Sequence, residues 1–225
     1  MNRAYKQVIK NKGAAGIDGM ECNDLLSHLK VNGHQLRESI RNQSYKPMPV
    51  KRVEIPKDNG SKRKLGIPTV TDRMIQQAAA QVLTPIYERK FHTNSYGFRP
   101  GKSAQQAVLK AAEYMNEGYN WVVDIDLEKF FDTVEHDKMI SILNKEIKDG
   151  KTLSLIRKFL VSGVMVGEQM EETEIGTPND APTAQNHADL RGVVLRNVFR
   201  SGGLYAVAGD GTSCGKNAGQ YVLVL

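Results

Sequence analysis

Cysteine is nearly absent from this chain. Only Cys22 and Cys214 occur, without the paired spacing that a metal site requires, and they read as free thiols of a protein kept in a reducing compartment. Long apolar runs are missing too. Nothing approaches the roughly 18 residues that span a bilayer, and Met1 to Lys12 is a basic, helix-like stretch with no signal-peptide core. A cytoplasmic protein is expected. Tryptophan occurs once, yet 225 residues at 40% hydrophobic content are enough to bury a core.

What is present is charge, and it is unevenly placed. The first 65 residues carry 14 Lys or Arg against 6 Asp or Glu, a balance of +8, so of the total of +6 the remainder holds −2. A basic first third ahead of a more acidic middle suits a polyanion-binding surface next to an acid-bearing site. Within that third, Lys51-Arg52-Val53-Glu54-Ile55-Pro56 alternates like a strand. Asp58-Asn59-Gly60 supplies turn chemistry, and Arg63 to Ile67 reads as the returning strand. A basic hairpin is predicted. Lys57 and Arg63 flank its turn and are placed to reach triphosphate oxygens, the arginine as a fork and the lysine as a point charge.

The run Trp121 to Ile140, WVVDIDLEKFFDTVEHDKMI, sets Asp124 and Asp126 at the end of a strand-like apolar stretch beside Phe130 and Phe131. Carboxylates at a core edge cost several kcal/mol unless paired or bound to a cation, which makes both acids candidates for a divalent-metal site. Such a site suits phosphoryl transfer, with Mg²⁺ polarising the attacking hydroxyl and the phosphates. Asp132, Thr133 and Glu135 are expected to open a helix with apolar positions Met139, Ile140, Ile142, Leu143 and Ile147, ended by Gly150. Asp132 reads as its capping or first-turn acid.

Elsewhere the pattern predicts a helix capped by Thr71 or Asp72, with Ile75, Ala79 and Val82 as its core stripe and Pro85 forcing a kink or restart. Ser95 to Gly101 is a glycine-punctuated aromatic segment in which Arg99 suits either a phosphate or a buried acid. Ser103 begins an alanine-rich helix that Gly118 closes, and Leu153 to Val161 forms another. Val164 to Ile175 reads as a hairpin turning near Gly167-Glu168.

Six blocks, GAAGIDGM from Gly13, YKPMPVKRVEIPK from Tyr45, KLGIPTVTDRMIQQAA from Lys64, SYGFRPGKSAQQAV from Ser95, the aspartate run, and EIGTP from Glu174, together resemble the reverse transcriptase domain encoded by bacterial group II introns, the intron maturases. The resemblance implies an α+β right-hand fold of fingers and palm, with helices packed on an antiparallel palm sheet. Residues 1–118 would be the fingers with the basic helix and hairpin, and 119–225 a partial palm. It implies Asp126 as catalytic acid and metal ligand beside the carbonyl of Leu127, and Phe131 as a gate against the ribose 2′-hydroxyl. Lys57 and Arg63 would join Phe131 in holding the nucleotide, and Lys51, Arg52, Lys62, Lys64 and Arg99 would meet RNA. Two Mg²⁺ ions, deoxynucleoside triphosphates, an RNA template, a DNA primer and intron RNA are the implied cofactor and partners, with a homodimer as a further association.

The resemblance departs in two places. Lys64 stands where the family commonly has proline, and after EIGTP the expected glutamine and paired glycines give way to Asn179-Asp180-Ala181-Pro182-Thr183-Ala184. The family's Tyr-Ala-Asp-Asp turn is replaced by Tyr205-Ala206-Val207-Ala208-Gly209-Asp210-Gly211, leaving Asp210 as the local acid. Asp126 with a displaced Asp210 would hold two cations poorly, because that chemistry needs several anionic oxygens. The expectation is a fragment without a thumb that binds intron RNA in support of splicing and retrotransposition and polymerises weakly if at all. The alternative is a noncatalytic RNA-binding splicing module.

Overall fold

The structure is a computed structural model that describes residues 2–56, 60, 62–122, 132–177 and 221–222. The chain folds into two compact units that alternate along the sequence. The described residues of 1–84 and 129–198 form one, and those of 85–128 and 199–225 form the other. The division expected after residue 118 falls inside the second unit.

In the first unit, α1 (Asn2–Asn11) buries Ala4 and Val8, one helical turn apart, and leaves Arg3, Lys6 and Lys10 outside. A short 3₁₀ turn, Cys22–Asp24, leads into α2 (Leu25–Arg41). The chain then enters β1 (Val50–Pro56), turns through Gly60 at φ +78°, and returns as β2 (Lys62–Ile67). The predicted basic hairpin is present, with Val53 opposite Leu65 and Glu54 opposite Lys64.

The helix after the hairpin, α3 (Val70–Glu88), starts earlier than the sequence suggests. Its cap is Thr69, whose hydroxyl accepts from the Asp72 amide at 3.2 Å; neither Thr71 nor Asp72 holds that place. The buried side chains are Val70, Asp72, Met74, Ile75, Gln76, Gln77, Ala80, Leu83 and Tyr87, while Val82 of the expected stripe is 67% exposed. Pro85 neither breaks nor restarts the helix. It lies in the exposed last turn, where one lost backbone bond costs little, and the neighbouring Thr84 hydroxyl donates to the Ala80 carbonyl at 2.7 Å.

Later in this unit, α5 (His136–Asn144) buries Met139 and Leu143, with Glu135 as its N-cap residue. Asp132 lies ahead of that cap in a single turn, so the capping role expected of it is not found. Gly150 does not end this helix either. It is the first residue of α6 (Gly150–Leu160), whose N-terminus is capped by Asp149 through the Lys151 and Thr152 amides at 3.2 and 3.1 Å. Beyond α6, β4 (Val164–Val166) and β5 (Gln169–Glu171) form the predicted hairpin, with Gly167 at φ +60°.

The strand order is β2-β1-β4-β5. Both hairpins are antiparallel, but Val50 pairs with Val164 in parallel, so the sheet is mixed and not wholly antiparallel. The long crossover between the hairpins, residues 68–163, permits this parallel contact. The core closes around the fully buried Leu25, Val50, Met74, Met139, Leu143 and Phe159. Burying each such side chain is worth about 1.5–3 kcal/mol.

In the second unit, α4 (Ala104–Asn116) begins at a capping box between Ser103 and Gln106, and Gly118 follows its end at φ +97°. The strand β3 (Trp121–Val122) pairs in parallel with β6 (Tyr221–Val222), again unlike the antiparallel sheet expected of this region. No helix among the described residues is long and apolar enough to cross a membrane.

Candidate nucleic-acid interface

Strand alternation sorts the hairpin into two faces. Arg52, Glu54 and their cross-strand neighbours Lys62 and Lys64 share one, while Val53 and Leu65 turn the other way, with Leu65 buried. Lys62 Nζ donates to Glu54 Oε2 at 2.8 Å, and Lys64 stands directly opposite Glu54 in the register. The Lys62 hydrogen bond, then its charge, and those of Lys64 and Arg52 hold the Glu54 carboxyl below its ordinary range. The same bond raises Lys62. Three cations thus surround one carboxylate on a face open to water. Lys51 is exposed, and the backbone of Arg63 lies opposite Ile55.

The base of this hairpin is tied to three of the sequence blocks. Asp72, 1% exposed, accepts from the Tyr45 hydroxyl at 2.7 Å, the Thr69 hydroxyl at 2.7 Å and the Met48 amide at 3.2 Å. Burial, and then the Asp72 carboxylate, push the Tyr45 phenol far above its ordinary value. Arg73 donates to the Ala14 carbonyl at 2.6 Å, and a Cβ added at Gly16 would lie 2.6 Å from Thr69 Cα. The GAAGIDGM block is therefore pressed against the start of α3, which explains a glycine at 16 by close approach.

A second joint links EIGTP to the start of α5. Gly176, at φ +80°, donates to the Val134 carbonyl at 2.9 Å, and its own carbonyl accepts from His136 Nε2 at 2.6 Å. The neighbouring cleft of about 570 Å³ is lined by Glu135, Asp137, Glu172 and Glu174 against the single cation Arg157. Its net negative charge does not suit a phosphate backbone.

Of the residues singled out in the sequence, Asp124, Asp126, Leu127, Phe130, Phe131, Asp210 and Lys57 lie outside the described residues, as does the Arg63 side chain. Among the described residues, no group of three or more His, Cys, Asp or Glu side chains is arranged to hold a metal ion. Lys51, Arg52, Lys62 and Lys64 do share one hairpin. Arg99 does not meet the place expected of an RNA contact, because its guanidinium is 8% exposed and pairs with Glu88. Of the two roles open to it, the pairing with an acid is the one found, and that acid, Glu88, is half-buried. Sequence reasoning passed over Tyr45, Thr69, Asp72 and Arg73 as a unit; only the Thr69-x-x-Asp72 capping spacing could have signalled part of it.

A family profile described as reverse transcriptase (RNA-dependent DNA polymerase) matches residues 55–186, more than half of the chain. The chain belongs to the reverse transcriptase family. Protein YkfC of Escherichia coli (strain K12) is 36% identical to this chain over 166 residues, 71% of the chain and 44% of that protein. Group II intron-encoded protein LtrA of Lactococcus lactis subsp. cremoris is 38% identical over 177 residues, 78% of the chain and 29% of that protein. Putative COX1/OXI3 intron 2 protein of Saccharomyces cerevisiae is 32% identical over 200 residues, 87% of the chain and 22% of that protein. The chain thus spans less than half the length of these relatives. The mixture of helices and a small sheet is compatible with an α+β polymerase domain.

Proposed function

We propose that this chain binds group II intron RNA through the basic face of β1 and β2 and supports splicing as a maturase, within the fingers and palm of an RNA-directed DNA polymerase that also serves retrotransposition. The observation that carries the reading is the convergence of Arg52, Lys62 and Lys64 around the single acid Glu54 on an open strand face. Such a face meets a phosphate backbone through counterion release, without reading sequence. Lys51, exposed on the other face of β1 with Val53, adds a further cation to the same hairpin.

For polymerisation, Lys57, Arg63 and Phe131 would hold a deoxynucleoside triphosphate opposite an RNA template and DNA primer. Asp126, the Leu127 carbonyl and Asp210 would hold Mg²⁺, which supplies Lewis-acid activation of the attacking hydroxyl. The sequence offers fewer carboxylates than two cations need, so polymerase activity is expected to be low. The bacterial cytoplasm is the proposed location, and a second copy of the chain is a further candidate partner.

The test is to change Lys51, Arg52, Lys62 and Lys64 to glutamine together and measure binding to a structured intron RNA across a salt series. The slope of log affinity against log salt should flatten by up to about 3, since each phosphate contact contributes about 0.7–0.9. An unchanged slope would remove this face from the interface. Primer extension in the same samples decides the polymerase half of the reading.

A further inference from the structure

Asp72 is buried at the root of the hairpin, and it touches both of its arms. The Met48 amide, two residues before β1 begins at Val50, donates to Oδ2 at 3.2 Å. The Thr69 hydroxyl, two residues after β2 ends at Ile67, donates to the same oxygen at 2.7 Å. Oδ1 accepts from Tyr45 at 2.7 Å, which draws in the segment leading to β1. We infer that Asp72 is a positioning residue, a carboxylate staple that fixes the direction in which the β1–β2 hairpin projects and therefore where its cations meet phosphate. This inference rests on the reading of that face as RNA-binding.

Leverage makes the staple matter. A seven-residue strand is about 20 Å long at about 3.3 Å per residue. A tilt of about 10° at its root therefore displaces the far end by about 3 Å, enough to lose a hydrogen bond of ordinary length. The cations Lys62 and Lys64 lie toward that far end, opposite Pro56 and Glu54. Val50 and Lys51 are additionally held by β4, so the root is clamped from the side while Asp72 clamps it from below. An isosteric amide at 72 keeps an acceptor oxygen for Met48 and Thr69 and can turn its nitrogen toward the Tyr45 oxygen; a methyl group can do neither.

The experiment compares Asp72→Ala, Asp72→Asn and the wild-type chain in RNA binding across the same salt series, with thermal unfolding of each. Asp72→Ala should bind about three- to tenfold more weakly and with a slope flatter by about 1, the loss of one phosphate contact. Asp72→Asn should stay within about twofold of wild type, because an acceptor is retained. If Asp72→Ala does not fold, Tyr45→Phe with Thr69→Val removes the two hydroxyl donors named above, and hydrogen exchange of the β1–β2 amides should rise in that variant while α6 amides stay protected. Wild-type affinity and slope in Asp72→Ala, or unchanged hairpin exchange in the double variant, would overturn the proposal. If neutralising the four cations flattens the slope but Asp72→Ala does not, the staple fails alone. If neutralisation leaves the slope unchanged, the RNA-binding reading fails first.

Discussion

Arg99 closes on a single oxygen of Glu88, its Nε and Nη2 both donating to Oε1 at 2.9 and 2.6 Å. Nη1 donates to the His92 and Ser95 carbonyls at 2.8 and 2.7 Å, and the guanidinium carbon sits 5.0 Å from the Phe91 ring centre. The side chain thus joins the end of α3 to the loop before α4, and almost none of it faces water.

Arg99→Ala should therefore act on stability, leaving Glu88 without its cation inside the second unit. We expect a loss of about 1–3 kcal/mol, below the penalty for a fully buried pair because Glu88 is partly exposed. Arg99→Lys should rescue little, because an ammonium cannot reproduce the fork. Chemical denaturation checks the loss, and an RNA salt slope equal to wild type checks that no phosphate contact went with it.

Glu54→Gln should tighten RNA binding. The substitution removes the one anion among Arg52, Lys62 and Lys64 and frees Lys62 from its 2.8 Å bond, adding up to one phosphate contact. The expected change is a salt slope steeper by about 0.7–0.9. Fold stability should hardly move, because exposed pairs contribute little.

Gly16→Ala should loosen the contact between the GAAGIDGM block and α3. The new methyl would fall 2.6 Å from Thr69 Cα and 2.7 Å from Thr69 N, both backbone atoms that cannot rotate away. A cost of about 1–3 kcal/mol is typical of such overpacking. The same substitution at Gly19, where nothing lies within 4 Å, is the control for packing, since its φ of +68° adds only backbone strain.

Tyr45 should give the fold a distinctive alkaline limit. In the unfolded chain its phenol ionises near pH 10, whereas burial and the Asp72 carboxylate keep it protonated in the folded state well beyond that. The folded form then retains a proton that the unfolded form releases, so this contribution is complete below about pH 10 and declines as the pH rises above it. Unfolding free energies measured from pH 8 upward should run parallel for wild type and Tyr45→Phe until about pH 10, and above it fall more steeply for wild type, by up to about 1.4 kcal/mol per pH unit. Parallel curves would contradict it.

Much of the hairpin was legible because its signals are local. Alternation from Lys51 to Pro56, turn residues at 58–60 and a basic return strand need no distant partner to be read. The Ser103 cap and the Gly118 stop were legible for the same reason. The buried face of α3 was not, because apolarity misled: Val82 is apolar and exposed, while Asp72 and Gln76 are polar and buried. Which side of a helix meets the core is decided by what packs on it. Gly150 misled in a related way, since glycine tolerates the first turn of α6 as readily as the end of α5, and Asp149 settles the choice by accepting from the Lys151 and Thr152 amides.

The sequence by itself determined membership in the reverse transcriptase family, the basic hairpin, and the start and stop of α4, because motif order, charge and capping are written in neighbouring residues. Tertiary structure decided the rest. It withdrew Arg99 from the surface, gathered Tyr45, Met48 and Thr69 on one buried carboxylate, and joined the two hairpins through a parallel contact between Val50 and Val164. The carboxylate cluster and the strand contact draw on residues far apart in the chain, and a buried charge or an edge strand can be satisfied by several partners until folding selects the one that closes the core.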